Sequence, residues 1–334
     1  MIPAPGPWLV TELINSNPRQ EANKPENKII MSKKIVVVGS SNTDMVVKVP
    51  HIPAPGETVM GSELLTIPGG KGANQAVGAA RAGGDVVFVA CVSDDTFGAE
   101  SIENYKKDGI DTSCIKVEPG MHSGVALINV AADGENSIAV APGANSHLMP
   151  ADILKAKDAF AGAGAVLAQL EIPIETVSAV AIIAEELGIP MILNPAPGAE
   201  LPRDLLKRIS VITPNETEAA LLTGTKEVND DTIPLMAQEL YDLGIETVIL
   251  TLGSRGVYLL NSEFQGMIPG YRVKAVDTTA AGDVFNGALA CALSANKPAR
   301  EAIDFAQRAA AISVTRMGAQ PSAPRLEEIT GYKF

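Results

Sequence analysis

The stretch KIVVVGSSNTDMVVKVP, residues 34–50, holds two kinds of strand side by side. KIVVVG (34–39) is a β-branched run closed by glycine, which reads as a strand buried on both faces. DMVVKVP (44–50) alternates between polar flanks and suits an exposed strand of a smaller sheet. Outward from here the first kind recurs as VVFVAC (86–91), AVLAQL (165–170), PMILNP (190–195), ISVITPN (209–215) and ETVILTLG (246–253). Helical patterns fall between them at 71–83, 97–109, 174–188, 216–224 and 232–244. Two more follow a hairpin-like region, near 282–295 and 298–315. Buried strands alternating with helices predict an α/β fold with a doubly wound, mostly parallel sheet covered on both faces.

The second kind recurs at ETVMGSELLTI (57–67) and SGVALINVAADGENSIAVAPG (123–143), the latter folded at Asp133-Gly134, a hairpin signal. These segments, near 44–67 and 123–141, predict a small antiparallel sheet over one edge of the main domain. In such folds ligands bind beyond the carboxyl ends of the strands. That rule selects the loops after Val38, Ala90, Leu170, Leu193, Thr213 and Thr251.

Composition narrows the function. The 334 residues carry a net charge of −13, which disfavours nucleic-acid binding through a basic surface. Phosphate can still be held by local backbone amides. No run of about 18 apolar residues occurs, so no membrane span is expected. The three cysteines form no CxxC pair and the three histidines are scattered, which argues against a disulfide framework or a zinc site. A reducing, cytoplasmic location follows, and any catalytic base is expected to be a carboxylate. Residues 1–30 are rich in Pro, Asn and charge and read as an extension; Met31 opens the domain, residues 31–334.

Six constellations could carry chemistry. GSSNTD (39–44) lacks the GxGxxG spacing, which disfavours a dinucleotide-dependent dehydrogenase. Its Asn42 and Asp44 suit sugar hydroxyls, or an Asx turn. PGGKGANQA (68–76) is not a Walker P-loop; it lets backbone approach a ligand, with Asn74 one turn into the helix. Glu171 stands where a strand should end. In TPNETE (213–218), Asn215 and Glu218 share a helical face and suit a hydrated Mg²⁺, or simply a helix cap. TLGSRG (251–256) offers Thr251 and Gly253 to nucleotide phosphates, or is a plain turn. DTTAAGDVFNG (277–287) opens a helix with small residues. That leaves the N–H groups of Ala280, Ala281 and Gly282 open to an anion, with Asp283 beside them as a base.

Together with PGETV (55–59) and NPAPG (194–198), these motifs resemble the ribokinase-like carbohydrate kinase family over roughly Lys34 to Pro324. The resemblance implies a three-layer αβα domain with a β-sheet lid that builds a homodimer. It implies ATP-dependent phosphorylation of D-ribose at O5; a kinase of another pentose, deoxyribose or a nucleoside, or a non-catalytic sugar binder, stays open. By motif, Asn42, Asp44, Gly70, Lys71, Asn74 and Glu171 would hold the sugar and Asp283 would be the base. Asn215, Glu218, Thr251, Gly253, Gly256 and Gly282 would lie on the ATP and Mg²⁺ side. A monovalent cation, usually K⁺, would be held by Asp277, Thr279, Ser313, Arg316 through its carbonyl, Gly318 and Ser322. Val284 and Gln307 depart from the family pattern, where Thr and His are more usual.

Overall fold

The computed structural model describes residues 33–334, so the extension at 1–30 lies outside the described residues. The first strand, β1 (Ile35–Val38), decides the layering. Successive side chains of a strand point to opposite faces. Ile35 and Val37 enter one apolar core, and Val36 and Val38 enter another. A strand buried on both sides needs a helical layer on each, which makes the domain three layers thick.

The main sheet has nine strands. Five run parallel through its centre with β1: β4 (Val86–Ser93), β8 (Ala165–Ala168), β9 (Met191–Leu193), β10 (Val211–Ile212) and β11 (Thr247–Thr251). One edge is closed by the antiparallel β12 (Val257–Asn261) and β13 (Gln265–Ile268), the other by the parallel β5 (Ile115–Glu118). The spatial order is β13-β12-β11-β10-β9-β8-β1-β4-β5.

On the Ile35 face lie α1 (Lys71–Arg81), α9 (Ala281–Ser294) and α10 (Ala299–Ser313), with Tyr105 of α2 (Thr96–Lys107) and Ile329 of α11 (Leu326–Gly331). The other face is covered by α3 (Pro150–Lys155), α4 (Lys157–Phe160), α5 (Ile174–Glu186), α6 (Arg203–Leu206), α7 (Glu216–Thr223) and α8 (Thr232–Asp242). No helix among the described residues is long and apolar enough to cross a membrane.

The predicted elements are present, with four corrections. β4 runs on to Ser93 and β8 stops at Ala168. β5 was not predicted from the pattern, being only four residues long. Residues 57–62 are irregular, not strand: the Glu57 carboxylate accepts from Ala54 N–H and pairs with His51, holding a turn at residues 54–57 just before them.

The lid is the fourth. It is a sheet of order β3-β2-β6-β7, built from β2 (Asn42–Val49), β3 (Glu63–Gly69), β6 (Gly124–Ala131) and β7 (Asn136–Ala141). It is mixed, not antiparallel, because β2 and β6 pair in parallel. Each is the continuation of a chain leaving the carboxyl edge of the main sheet, β2 after β1 and β6 after β5, so both run outward in the same direction.

Candidate active site

The site forms where β1, β8, β9, β10 and β11 end and where α1 and α9 begin. The two helices cross closely because Gly287 has no side chain. A Cβ there would sit 2.5 Å from the Gln75 carbonyl oxygen and 2.6 Å from the Ala79 nitrogen. One turn before that crossing, the first turn of α9 places buried Asp283 against the first turn of α1. Asn74 Nδ2 donates to Asp283 Oδ2 at 3.0 Å, and Gln75 Nε2 donates to Asp283 Oδ1 at 3.0 Å. The Asn74 Oδ1 atom is buried without a protein partner.

Gly70 caps α1 with φ of 88°, a left-handed conformation suited to glycine. The helix start is held from across the sheet: Glu171 Oε2 accepts from Lys71 N–H at 2.9 Å and from the Ser40 hydroxyl at 2.5 Å. Asn42 is buried, and its Oδ1 accepts from Asn145 Nδ2 at 2.7 Å. Burial, reinforced by the charges of Glu171 and Asp283, pushes the Asp44 carboxyl up to about 6. Burial works against the charge on Lys71, but the carboxylates of Asp283, Glu171 and Glu218 outweigh it and hold the ammonium above its ordinary pKa. The structure therefore brings the Asp44, Glu171 and Asp283 carboxyls and the Lys71 ammonium within electrostatic reach of one another, with Asn74 bonded to Asp283 and Gly70 packed against the Asn42 backbone.

On the far side of Asp283 opens a cleft of about 1120 Å³, lined by Asn215, Thr251, Gly253, Gly256, Gly282 and Gln307 among others. Asn215 and Glu218 cap α7 reciprocally, each side chain accepting from the other's N–H at 2.8 Å. The capping reading of this pair is thus met. Glu218 also faces the site: burial raises its carboxyl above its usual range, opposed by the Asn215 N–H and Lys71 and aided by Asp283.

The mouth of α9 differs from the expected row of three free amides. Ala280 is the N-cap, in a left-handed conformation with φ of 58°. That turn lets Ala281 N–H donate to the Thr278 carbonyl at 3.2 Å. The N–H groups left without an acceptor among the described residues are those of Ala280, Gly282 and Asp283.

Of the candidate cation residues, Asp277, Thr279 and Gly318 are joined directly. Asp277 Oδ1 accepts from Thr279 N–H at 2.9 Å and Oδ2 from Gly318 N–H at 2.8 Å. Burial would raise the Asp277 carboxyl, but these hydrogen bonds outweigh it and hold it below its ordinary value. The hydroxyls of Ser313 and Ser322 donate to the Ala310 and Ala319 carbonyls, so their oxygens remain acceptors. The Arg316 guanidinium is taken by Glu328, which leaves only its carbonyl for an ion. Val284 points away from the site into the core, opposite Gly78 of α1, where a hydroxyl has no use.

Motif reading missed Gln75, Gln169, Thr213 and Asn286 as site residues. All are buried, uncharged and polar. The signal was available: carboxamides inside otherwise apolar runs must find partners.

An αβα sheet, a lid and a buried carboxylate beside a helix start with free N–H groups make the arrangement of a sugar phosphotransferase. The chain belongs to the pfkB family of carbohydrate kinases, whose pattern matches residues 32–326. It is 44% identical to the ribokinase of Haemophilus influenzae over 89% of this chain and 97% of that one. Among solved structures it is similar to the ribokinase of Thermotoga maritima, with a TM-score of 0.82 and 40% identity over 90% of this chain and 98% of that one. The Arabidopsis thaliana ribokinase complexed with ribose and ATP also gives a TM-score of 0.82, at 33% identity, covering 90% and 98% of the two chains. The resemblance read from the motifs is borne out.

Proposed function

We propose that this kinase transfers the γ-phosphoryl group of ATP to O5 of D-ribose, giving ribose 5-phosphate and ADP. The observation that carries the reading is the placement of Asp283. It is buried, held on both carboxylate oxygens by carboxamides, and set between the Asn42–Asp44–Glu171 pocket and the Thr251–Gly282 cleft.

In this reading Asp44, Asn42, Glu171 and the Asn74 Oδ1 atom receive sugar hydroxyls. The O5 hydroxyl gives its proton to Asp283 as O5 attacks phosphorus, and the bond to the β,γ-bridging oxygen breaks. Lys71 and the free N–H groups of Ala280, Gly282 and Asp283 meet the charge on the transferring group. Phosphoryl transfer needs this positioning more than covalent help. Closure of the lid excludes water and suppresses hydrolysis of ATP.

The donor set around α7 fits Mg²⁺. Among the described residues no cluster of three or more His, Cys, Asp or Glu could cage a metal. Magnesium commonly keeps its waters and takes one or two carboxylates plus substrate phosphates, which Glu218 and Asn215 beside the cleft suit. When bound it supplies charge neutralisation of the phosphates. Asp277, Thr279, Ser313, Arg316, Gly318 and Ser322 suit a K⁺ ion, being an ionised carboxylate among hydroxyl and backbone oxygens.

The lid suits a homodimer. One face carries Asn42 and Asp44 together with Ile138 and Val140, and the opposite face carries Leu64 and Leu127. The last four are all more than half exposed. A sheet apolar on both faces needs cover on both, and a second lid can supply it. Buried Cys91 and Cys291 and unpaired Cys114 suit the cytoplasm.

The test is ADP release across ribose, deoxyribose, other pentoses and nucleosides, with and without K⁺. Ribose should give the highest kcat/KM and K⁺ should raise it. Tight ribose binding without ADP release would instead identify a binding protein.

A further inference from the structure

Gln75 never reaches the surface, yet it touches the proposed base. Its side chain is fully buried. Its Oε1 accepts from Gln169 Nε2 at 2.6 Å, and its Nε2 donates to Asp283 Oδ1 and to Asn194 Oδ1, each at 3.0 Å. Asn194 Nδ2 in turn donates to the Thr213 carbonyl at 3.2 Å. The Thr213 hydroxyl donates to Asn286 Oδ1 at 2.6 Å, and Asn286 Nδ2 donates to the Gly282 carbonyl at 2.8 Å. The chain of contacts thus leaves α9 at the Asp283 carboxylate and returns to α9 at the carbonyl one residue earlier.

A carboxamide can be turned end for end, so its orientation must be decided by its neighbours. Here the decision is forced. The Asp283 carboxylate, when ionised, and the Thr213 and Gly282 carbonyls can only accept. Gln75 must therefore present its nitrogen to Asp283, and its oxygen then requires the nitrogen of Gln169. Asn194 must present nitrogen to Thr213 and oxygen to Gln75. The orientations of Gln75, Asn194 and Asn286 agree with one another; Gln169 gives its nitrogen to Gln75 and leaves its own Oε1 buried without a protein partner.

We propose that Gln75 is a positioning residue for phosphoryl transfer, fixing the Asp283 carboxylate so that one oxygen faces the attacking hydroxyl. The inference rests on Asp283 being the base. Asn74 holds Oδ2 from the substrate side, and Gln75 holds Oδ1 from the protein interior. With both oxygens held, the carboxylate plane cannot rotate and a free lone pair stays aimed into the pocket. The charged groups that feel Asp283 are Lys71 on α1, Glu218 on α7 and Asp44 on β2; none touches Gln75. Gln75 contributes no charge and is sealed from substrate, so its effect falls on turnover rather than on binding.

Gln75→Glu is nearly isosteric but replaces the donor with a second carboxyl facing Asp283. Two carboxyls sharing a site hold a proton between them. The variant should lose about 10–100-fold in kcat at neutral pH, less than the ~10²–10⁴-fold expected when the general base is lost outright. The acid limb of its kcat profile should move up by about one pH unit or more, while KM for ribose and for ATP stays within about 3-fold. Gln169→Leu, which leaves Gln75 in place but removes its lock, should lose about 3–10-fold with the same direction of shift; it serves if Gln75→Glu does not fold. Unchanged kcat and acid limb in a folded variant overturn the inference, as does a loss confined to KM. Asp283→Asn separates the two claims. Activity retained there defeats the base reading itself; activity lost there with Gln75→Glu unaffected defeats only the positioning role.

Discussion

Asn74 and Asp283 stand 209 positions apart in the chain, yet Nδ2 of the first lies 3.0 Å from Oδ2 of the second. The contact joins the glycine-rich turn after β3 to the small-residue mouth of α9. It makes one site of two motifs. Asp283→Asn should reduce kcat by about 10²–10⁴-fold, the usual contribution of a general base. Asn74→Ala should cost less, about 10-fold, because the carboxylate survives with one hydrogen bond fewer, worth about 1.5–3 kcal/mol for a charged acceptor. Steady-state kinetics on folded protein decide it; near-normal turnover of Asp283→Asn removes the base assignment.

Two glycines of α9 should respond oppositely to the same change. At Gly282 an added Cβ meets nothing within 4 Å, because it enters the space proposed for phosphate. Gly282→Ala should leave stability unchanged or raise it by up to about 1 kcal/mol through helix propensity. It should lower kcat/KM for ATP by about 10-fold, less than the ~10²–10³ for an anion-hole donor removed outright.

At Gly287 the added Cβ collides with the backbone of α1. Gly287→Ala should destabilise by about 1–3 kcal/mol, the cost of overpacking a close contact. Turnover should fall with it, because parting α1 from α9 stretches the Asn74 and Gln75 bonds to Asp283. Urea unfolding of the two glycine variants side by side is the check; equal stabilities would refute the contrast.

Asp44 is kept at a cost to stability. Its carboxyl has a pKa of about 6 in the folded protein, against an ordinary value of 3.8. Between those values the folded state binds more protons than the unfolded one, so this group loses stability as pH rises. The favourable contribution is complete below about pH 4 and gone above about pH 6. Asp44→Asn should therefore stabilise the sugar-free protein at pH 7.5 by about 1–3 kcal/mol, and by far less at pH 4. The same variant should lose ribose binding. A Tm difference that does not change with pH would show that the charge is not the cause.

Much of this was legible in one dimension. The β-branched runs ending in glycine or a polar residue gave the sheet, since a strand covered on both faces must be apolar throughout. Asp283 could be read because an acid behind two alanines and a glycine is a poor cap and a good neighbour for an anion. Asp277 and Gly318 could be brought together only by resemblance. The parallel pairing of β2 with β6 was not legible, because alternation sets which faces are apolar and not which way the neighbour runs. β5, at four residues, is too short to carry a pattern of its own.

The sequence by itself determined the order of layers, the residues able to do acid–base and anion chemistry, and the loops that carry them. Local pattern suffices for these because side-chain period and capping are properties of a few consecutive residues. The tertiary structure decided how those groups are held. It took up the Ala281 amide in a turn and left those of Ala280, Gly282 and Asp283 free. It tied Asp283 to Asn74 and Gln75 through a helix crossing set by Gly287. It also ran carboxamides from Gln169 to Asn286 through the core. A carboxamide reads the same in any helix or strand; only the acceptors around it fix which end faces which neighbour, and those acceptors come from distant parts of the chain.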